Sequence, residues 1–290
     1  MSDSSPRFSS RFAFLVSALG IAVGTGNIWR FPRIAASNGG DDGAGSFLIA
    51  WVTFLFLWSI PLIIVEYVMG RTSRKGTVGA FAHFMGKPFA FLGGFIGFVA
   101  AAIAFYYSVI VGWNIYYFGS MTFSDLPTTT DSSWELWNNF QNSSFPILFH
   151  AIAMSVGGFA IYKGVSSIEK VNKVLIPTLL AIVLLCVFRA LSLPGSMAGI
   201  SYLFTPEWSQ LKDPRIWLDA LTQNAWDTGA GWGLFLTYAI YIRKRYGIIK
   251  NAFTTAIGNN LVSLLAAIMI FSTVFSILGN DLNMSKPEIL

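Results

Sequence analysis

The chain has 290 residues, of which 54% are hydrophobic and 11% are charged, and its mean hydropathy is +0.60. Because an average soluble domain is about 25% charged, this composition excludes an ordinary soluble protein and predicts a polytopic membrane protein. The net charge of +5 does not indicate nucleic-acid binding, because the basic residues stand in short clusters between apolar segments.

Seven apolar segments predict the membrane spans, since a bilayer core of roughly 30 Å needs about 20 helical residues. They form one transmembrane domain, 1–290, with spans at approximately 12–37, 46–70, 89–121, 145–162, 172–193, 214–242 and 248–278. The stretch 122–144 is rich in Ser, Thr, Asn and Asp and is expected to be a loop. Cys186 lies inside the fifth apolar run and is expected to be a small core residue.

The charges of the loops predict the orientation of the chain. Lys and Arg are concentrated after the second, fourth and sixth segments, whereas the loops on the other side are acidic or mixed. By the positive-inside rule the N-terminus is cytoplasmic and the seventh span ends outside.

The first segment is interrupted at its centre by Gly24-Thr-Gly-Asn-Ile-Trp-Arg-Phe-Pro32. Gly24 and Gly26 are poor helix residues, Asn27 is polar at membrane depth, and Pro32 cannot continue a regular hydrogen-bond ladder. Backbone groups freed in hydrocarbon are costly, so a break is tolerated only where it lines a cavity or a bound ion. This pattern predicts a broken transmembrane helix whose gap is a binding site.

The sixth segment has the same feature, because Ala225-Trp-Asp-Thr-Gly-Ala-Gly-Trp-Gly233 places Asp227 and three glycines inside an apolar helix. Two glycine-interrupted spans that stand five spans apart are typical of a transporter built from inverted repeats of five helices. The binding site of such a protein lies at the midplane, where both helices unwind.

Polar side chains at these breaks predict a cation site. Asn27 follows Gly-Thr-Gly, so the carbonyls of Ala22 and Val23 would be free beside its amide, and a hard cation takes several oxygens. The alternative for Asn27 is a buried amide that pairs with a neighbouring helix. Asp227 marks an ion, a proton relay or a paired charge, and a role as a helix cap is compatible with cation binding.

The seventh segment adds amides at membrane depth, Asn259 and Asn260, and Ser263 lies one helical turn after Asn259 on the same face. Glu66 stands near the cytoplasmic end of the second span, where a structural pairing is expected. Arg30 lies on the outer side of the first break, where it could form a charged gate.

An enzyme is not predicted. His83 and His150 lie far apart, and the sequence has no nucleophile–base spacing, Cys/His metal set or phosphate loop. We therefore expect no organic cofactor and no metal other than sodium.

The motifs together resemble the neurotransmitter:sodium symporter family, in its bacterial form, over nearly all of the chain. The matching stretches are Gly24–Pro32, Asn38-Gly-Gly40, Gly45-Ser-Phe47, Pro61-Leu-Ile-Ile-Val-Glu66 with Gly70-Arg71, Tyr202-Leu-Phe-Thr-Pro206 and Gln223–Tyr241. The resemblance implies an all-α membrane protein with part of the leucine-transporter-type inverted-repeat fold: the first five-helix repeat and two helices of the second. It further implies sodium-coupled transport of an amino acid by alternating access across a cell membrane, the inner membrane in a bacterium.

The resemblance also implies roles for individual residues. The first sodium site would comprise Ala22, Asn27, Asp227 and Asn259, and half of a second sodium site would comprise Gly20 and Val23. The substrate would contact Ala22, Gly24, Thr25, Gly26, Ile103, Tyr107, Trp226, Asp227, Gly229 and Trp232. Arg30 would belong to the outer gate.

Two of these positions indicate the substrate. Monoamine carriers of the family have an Asp at the position of Gly24, so its absence favours an α-amino acid. Trp226 and Trp232 stand where the family usually has Phe, and their flat apolar surfaces weakly favour a large apolar or aromatic side chain.

Asp227 is the main departure, because the family usually has Thr or Ser there. Chloride-dependent members hold the anion beside the first sodium site, and Gln223 and Ser263 match two of the groups that do so. The tyrosine of helix two is replaced by Trp51. A fixed carboxylate at Asp227 would substitute for the anion, and this anion-substituting region of Gln223, Asp227 and Ser263 predicts chloride-independent transport.

Family members have more spans than the seven predicted here, so the sequence resembles a symporter truncated after the seventh span. It lacks the usual Arg-x-x-Trp near the N-terminus, for which Arg7-Phe8 is at best a shifted version. The alternative interpretation is a membrane protein that does not transport: a gene fragment, or at most a solute-binding or partner subunit.

Overall fold

The computed structural model describes residues 7–278, and the described part of the chain is helical throughout, without strands. In chain order the helices are α1 (Arg11–Ala22), α2 (Phe31–Ser37), α3 (Gly45–Phe54), α4 (Ile60–Ser73), α5 (Thr77–Met85), α6 (Ala90–Phe123), α7 (Thr130–Gln141), α8 (Phe145–Ile161), α9 (Val165–Leu191), α10 (Ser196–Phe204), α11 (Pro214–Thr228), α12 (Leu234–Ala239) and α13 (Ile248–Leu278). Two π-helical turns, Gly26–Arg30 and Leu55–Ser59, join α1 to α2 and α3 to α4.

Within residues 7–278, four helical stretches are long and apolar enough to cross a membrane: Gly45–Ser73, Lys87–Phe123, Val165–Leu191 and Ile248–Leu278. Two bent pairs would each make one broken span. Arg11–Ala22 with Gly26–Ser37 bends by 58°, and Thr130–Gln141 with Phe145–Ile161 bends by 72°. The predicted sixth span consists of α11 and α12, which have 15 and 6 residues and are separated by the second break.

Two sequence-based expectations are wrong. The stretch 122–144 is not only a loop, because it contains α7, which begins with a capping box between Thr129 and Ser132. Cys186 is exposed on α9 instead of lying in the core. An apolar neighbourhood does not imply burial in a membrane helix, since lipid accepts apolar side chains on the outer surface.

Two clusters of buried side chains pack the helices that carry the breaks. One joins α1, α4, α12 and α13 and includes Phe14, Tyr67 and Phe235. The other joins α2, α3, α11 and α13 and includes Phe31 and Phe271. In the first and the sixth segment, the helix on one side of the break belongs to one cluster and the helix on the other side belongs to the other cluster. Helix α13 contributes residues to both clusters. This packing brings the polar residues of three segments together.

The chain before α1 closes one end of this assembly. Phe8 is fully buried and its ring packs against Phe14 and Tyr238. Its backbone N–H donates to the carbonyl of Tyr241 at 3.3 Å, and its carbonyl accepts from Arg243 at 3.1 Å. A phenylalanine thus holds the N-terminal segment to the end of the sixth segment.

Candidate substrate and ion site

The first break is closed by a side chain that belongs to it. α1 ends at Ala22, Val23 is extended, and the N–H of Gly24 donates to Asn27 Oδ1 at 2.8 Å. The amide oxygen thus satisfies a backbone donor that the interrupted helix leaves free. The break leaves no room for a side chain at Gly26, because a Cβ there would lie 2.9 Å from Asp227 Oδ1.

The second break follows α11 and depends on glycine. Gly229, Gly231 and Gly233 have φ angles of 64°, 93° and 74°, in the left-handed region that other residues rarely adopt. Glu66 provides the acceptors for this turn. Its Oε1 accepts the N–H of Gly231 at 2.6 Å and its Oε2 accepts the N–H of Leu236 at 2.9 Å. The structural pairing expected for Glu66 is therefore with the backbone of the sixth segment.

Polar groups from three segments meet between the two breaks. Asn27 Nδ2 donates to Asn259 Oδ1 at 2.9 Å and to Ser263 Oγ at 2.8 Å, and Ser263 donates to Asp227 Oδ2 at 3.1 Å. Each of these residues is at most 2% exposed. Asp227 Oδ1 is buried and has no hydrogen-bond partner among residues 7–278. An unsatisfied carboxylate oxygen among amide and hydroxyl oxygens fits a hard cation such as Na⁺.

A cavity of about 280 Å³ adjoins these groups. Eight of the ten predicted substrate residues line it: Ala22, Gly24, Gly26, Ile103, Tyr107, Trp226, Asp227 and Trp232. Gly20 and Val23, predicted for the second sodium site, also line it. Gly229 is not among the lining residues and lies in the turn of the second break.

Four lining residues were not predicted: Ile21, Ala100, Ala104 and Leu234. Helical spacing could have identified two of them, because Ala104 and Ala100 stand three and seven residues before Tyr107 and share its face of α6. Their small side chains leave the volume of the cavity to the substrate.

Tyr107 reaches across the cavity to the first break. Its hydroxyl lies 2.9 Å from Thr25 Oγ1 and accepts the N–H of Thr25 at 3.2 Å. Thr25 thus acts on the cavity through Tyr107 and does not line it. A Cβ at Gly24 would lie 2.9 Å from the same hydroxyl, so a side chain at this position would compete for the hydroxyl's place.

Aromatic rings cover one side of the cavity. The rings of Trp226 and Trp232 meet edge to face with centroids 5.4 Å apart, and Tyr106 stacks on Trp226 at 6.4 Å. The guanidinium of Arg30 lies 5.9 Å from the centre of the Trp226 ring and donates to Gln223 Oε1. The residue predicted for the outer gate therefore lies directly on this aromatic cover.

Three further contacts concern residues of the other predicted sites. A Cβ at Gly20 would lie 2.6 Å from Asn172 Oδ1, so α9 brings an amide oxygen to the predicted second sodium site. Gln223 Nε2 donates to the carbonyl of Gly26 at 3.4 Å. Trp51 is buried with its ring on Phe31, and its indole N–H has no partner among the described residues.

Two broken helices that meet at buried oxygens in an all-helical membrane protein are the arrangement typical of the class of ion-coupled transporters. The sequence model of the sodium:neurotransmitter symporter family matches residues 5–146 and 142–289. The chain belongs to this family.

The fold is similar to that of MhsT in its complex with L-phenylalanine, with a TM-score of 0.84 and 31% identity. The alignment covers 99% of this chain and 64% of that one. The predicted partial leucine-transporter-type fold is therefore confirmed.

Relatives in sequence are transporters, which agrees with the prediction that the chain is not an enzyme. A sodium-dependent transporter of Methanocaldococcus jannaschii is 32% identical over 92% of this chain, and one of Bacillus subtilis is 31% identical over 95%. A human sodium-dependent neutral amino acid transporter is 28% identical over 98%. The chain spans 55%, 61% and 42% of the length of these relatives.

Proposed function

We propose that this chain carries the substrate site and the first sodium site of a symporter that moves an α-amino acid with sodium by alternating access. The observation that carries the proposal is the buried Asp227 Oδ1, which has no hydrogen-bond partner among residues 7–278 and belongs to a carboxylate that lines the cavity and accepts from Ser263 with its other oxygen. A buried carboxylate oxygen without a partner is costly, and a bound cation would offset that cost.

In this proposal Na⁺ is held by the carbonyl of Ala22, the amide oxygens of Asn27 and Asn259, and the carboxylate of Asp227. The bound cation supplies positive charge next to the cavity, where a substrate carboxylate would lie. Gly20 and Val23 would hold part of a second sodium ion. The helices α1–α4 and α11–α13 would then move as a bundle against α6, α8 and α9, in a cell membrane with the N-terminus in the cytoplasm, the inner membrane in a bacterium.

The proposed substrate is an α-amino acid with a large apolar or aromatic side chain. Its carboxylate would meet the hydroxyl of Tyr107 and the N–H of Gly26, and no acidic side chain stands at Gly24 to select an amine without a carboxylate. The volume of about 280 Å³ and the rings of Trp226 and Trp232 suit such a side chain. The similar structure MhsT holds L-phenylalanine.

We propose further that transport does not require chloride. Asp227 Oδ2 accepts from Ser263. Gln223 accepts from Arg30 and donates to the carbonyl of Gly26. A carboxylate in this position would supply the negative charge that chloride supplies in other members of the family. The indole of Trp51 replaces the tyrosine hydroxyl that would complete an anion cage.

The test is binding of labelled L-phenylalanine to the 290-residue chain in nanodiscs, in sodium or choline salts, followed by uptake in vesicles. We expect binding that saturates with sodium and is lost in Asn259→Ala. The matched control is Asn251→Ala, since Asn251 is a buried amide on the same helix that bonds to Arg11 instead. Sodium-independent binding, or no binding of any of the twenty amino acids, would refute the proposal.

A further inference from the structure

Four buried asparagines form a continuous chain of hydrogen bonds from the proposed cation site to the second span. We call them the amide chain: Asn27, Asn259, Asn260 and Asn224. Asn260 is 4% exposed and the other three are fully buried. The first lies in the first break, the second and third on α13, and the fourth on α11.

The chain begins at the first break. The N–H of Gly24 donates to Asn27 Oδ1 at 2.8 Å, and Asn27 Nδ2 donates to Asn259 Oδ1 at 2.9 Å. Asn259 Nδ2 then donates to Asn260 Oδ1 at 3.2 Å. Each amide accepts with its oxygen on one side and donates with its nitrogen on the other.

The chain ends on α3. Asn260 Nδ2 donates to Asn224 Oδ1 at 3.5 Å, and Asn224 Nδ2 donates to the carbonyl of Trp51 at 2.7 Å and to that of Ala220 at 3.2 Å. Ser59, which ends the π-helical turn of the second span, also donates to Asn224 Oδ1 at 3.4 Å. Asn224 is thus the point at which the amide chain meets the second span.

The backbone groups at the two ends determine the direction of every amide. The N–H of Gly24 can only donate, and the carbonyl of Trp51 can only accept. Reversing any one amide would set nitrogen against nitrogen and oxygen against oxygen at both of its contacts. In a buried setting each lost bond leaves an unsatisfied group, and bonds in a continuous chain polarise and strengthen one another. The oxygen of Asn259 is therefore held toward Asn27 and the cation site.

We propose that Asn260 and Asn224 are positioning residues of the cation site. Asn260 accepts the N–H of Asn259 and so keeps the Asn259 oxygen directed at the cation, while Asn224 holds Asn260 in the matching orientation and ties the site to the second span. This inference rests on the proposed function, because it takes Asn259 as a sodium ligand. Neither Asn260 nor Asn224 lines the cavity, so both act through Asn259.

The test compares a substitution inside the amide chain with one outside it on the same helix. Asn260→Ala removes both the donor and the acceptor at position 260. Thr255→Val is the matched control, because Thr255 is fully buried one turn before Asn259 and its hydroxyl contacts Tyr67 at 3.2 Å, outside the amide chain. The sodium concentration for half-maximal L-phenylalanine binding is measured for each variant, with the melting temperature in choline chloride.

We expect Asn260→Ala to raise the half-maximal sodium concentration about fivefold or more, which corresponds to the loss of one hydrogen bond of ~1 kcal/mol. Thr255→Val should lower the melting temperature in choline chloride without changing sodium dependence. If Asn260→Ala does not fold, Asn224→Ala gives the same comparison with Thr255→Val.

The inference fails if Asn260→Ala and Thr255→Val have the same half-maximal sodium concentration. Its failure is distinct from that of the proposed function. If only the inference fails, the unsubstituted chain still binds L-phenylalanine in a sodium-dependent manner. Binding without sodium dependence in the unsubstituted chain overturns both.

Discussion

The carboxylate of Glu66 accepts the backbone N–H of Gly231 at 2.6 Å, so a side chain of the second span completes the broken part of the sixth segment. Its other oxygen accepts the N–H of Leu236 at 2.9 Å. Three glycines with positive φ make this turn possible. Glu66 therefore satisfies donors that the break would otherwise leave unpaired.

Replacing Glu66 with Ala should destabilise the chain by about 1–3 kcal/mol or more, because the buried N–H of Leu236 and the part-buried N–H of Gly231 both lose their acceptor. Thermal unfolding in nanodiscs measures the effect. Glu135→Ala is the control, since Glu135 is exposed on α7 and should change stability little. Equal melting temperatures for the two variants would contradict the structural role of Glu66.

Gly233→Ala should destabilise the second break by about 1–3 kcal/mol, the usual cost of an unfavourable backbone conformation. Gly233 has a φ of 74°, and a Cβ there would lie 2.5 Å from the Thr77 side chain. Gly158→Ala is the matched control, because it lies within α8 with open space around it and should be neutral or stabilising by up to ~1 kcal/mol. Opposite shifts in melting temperature would confirm the prediction, and parallel shifts would refute it.

Gly24→Ala should weaken amino-acid binding because its Cβ would lie 2.9 Å from the Tyr107 hydroxyl and displace it. Tyr107→Phe removes that hydroxyl and should also weaken binding, by about 1 kcal/mol or more for the lost hydrogen bonds. The double variant should lose less than the sum of the two, since both changes act on one group. Dissociation constants for L-phenylalanine at saturating sodium measure this cycle, and strict additivity would count against it.

Asp227→Ser should make substrate binding or uptake depend on chloride, because it removes the fixed negative charge beside Ser263. The measurement is activity with chloride replaced by gluconate, in the original chain and in the variant. We expect the original chain to keep its activity in gluconate and the variant to lose most of it. A large loss in the original chain would refute chloride independence. Asp219→Ser serves as the control, since its carboxylate pairs with Asn38 outside the site.

Much of the site can be predicted from the sequence because broken helices in a membrane carry unusual residues. Glycine, asparagine and aspartate inside apolar segments are expensive unless they bind something, so Asn27 and Asp227 indicate the site without any knowledge of packing. The helical period of α13 similarly places Asn259 and Ser263 on one face. These inferences use only local geometry and the cost of burial.

Other features could not be predicted, because they depend on which segments become neighbours. The packing of the Phe8 ring on Tyr238 joins residues that are far apart in sequence, as does the contact of Asn172 with Gly20. The exposure of Cys186 depends on which face of α9 is left uncovered. No periodicity within one segment contains this information.

The sequence by itself determined that the protein is helical and spans a membrane, that two of its helices break, and which polar residues lie at those breaks, since composition and the cost of unpaired groups in hydrocarbon decide these points. Only the tertiary structure decided how the polar groups are paired. In sequence Asn260 and Asn224 are two separate asparagines, and they become parts of one chain because α11 packs against both α3 and α13. Hydrogen bonds are directional and short, so their partners are determined by packing and not by the residues alone.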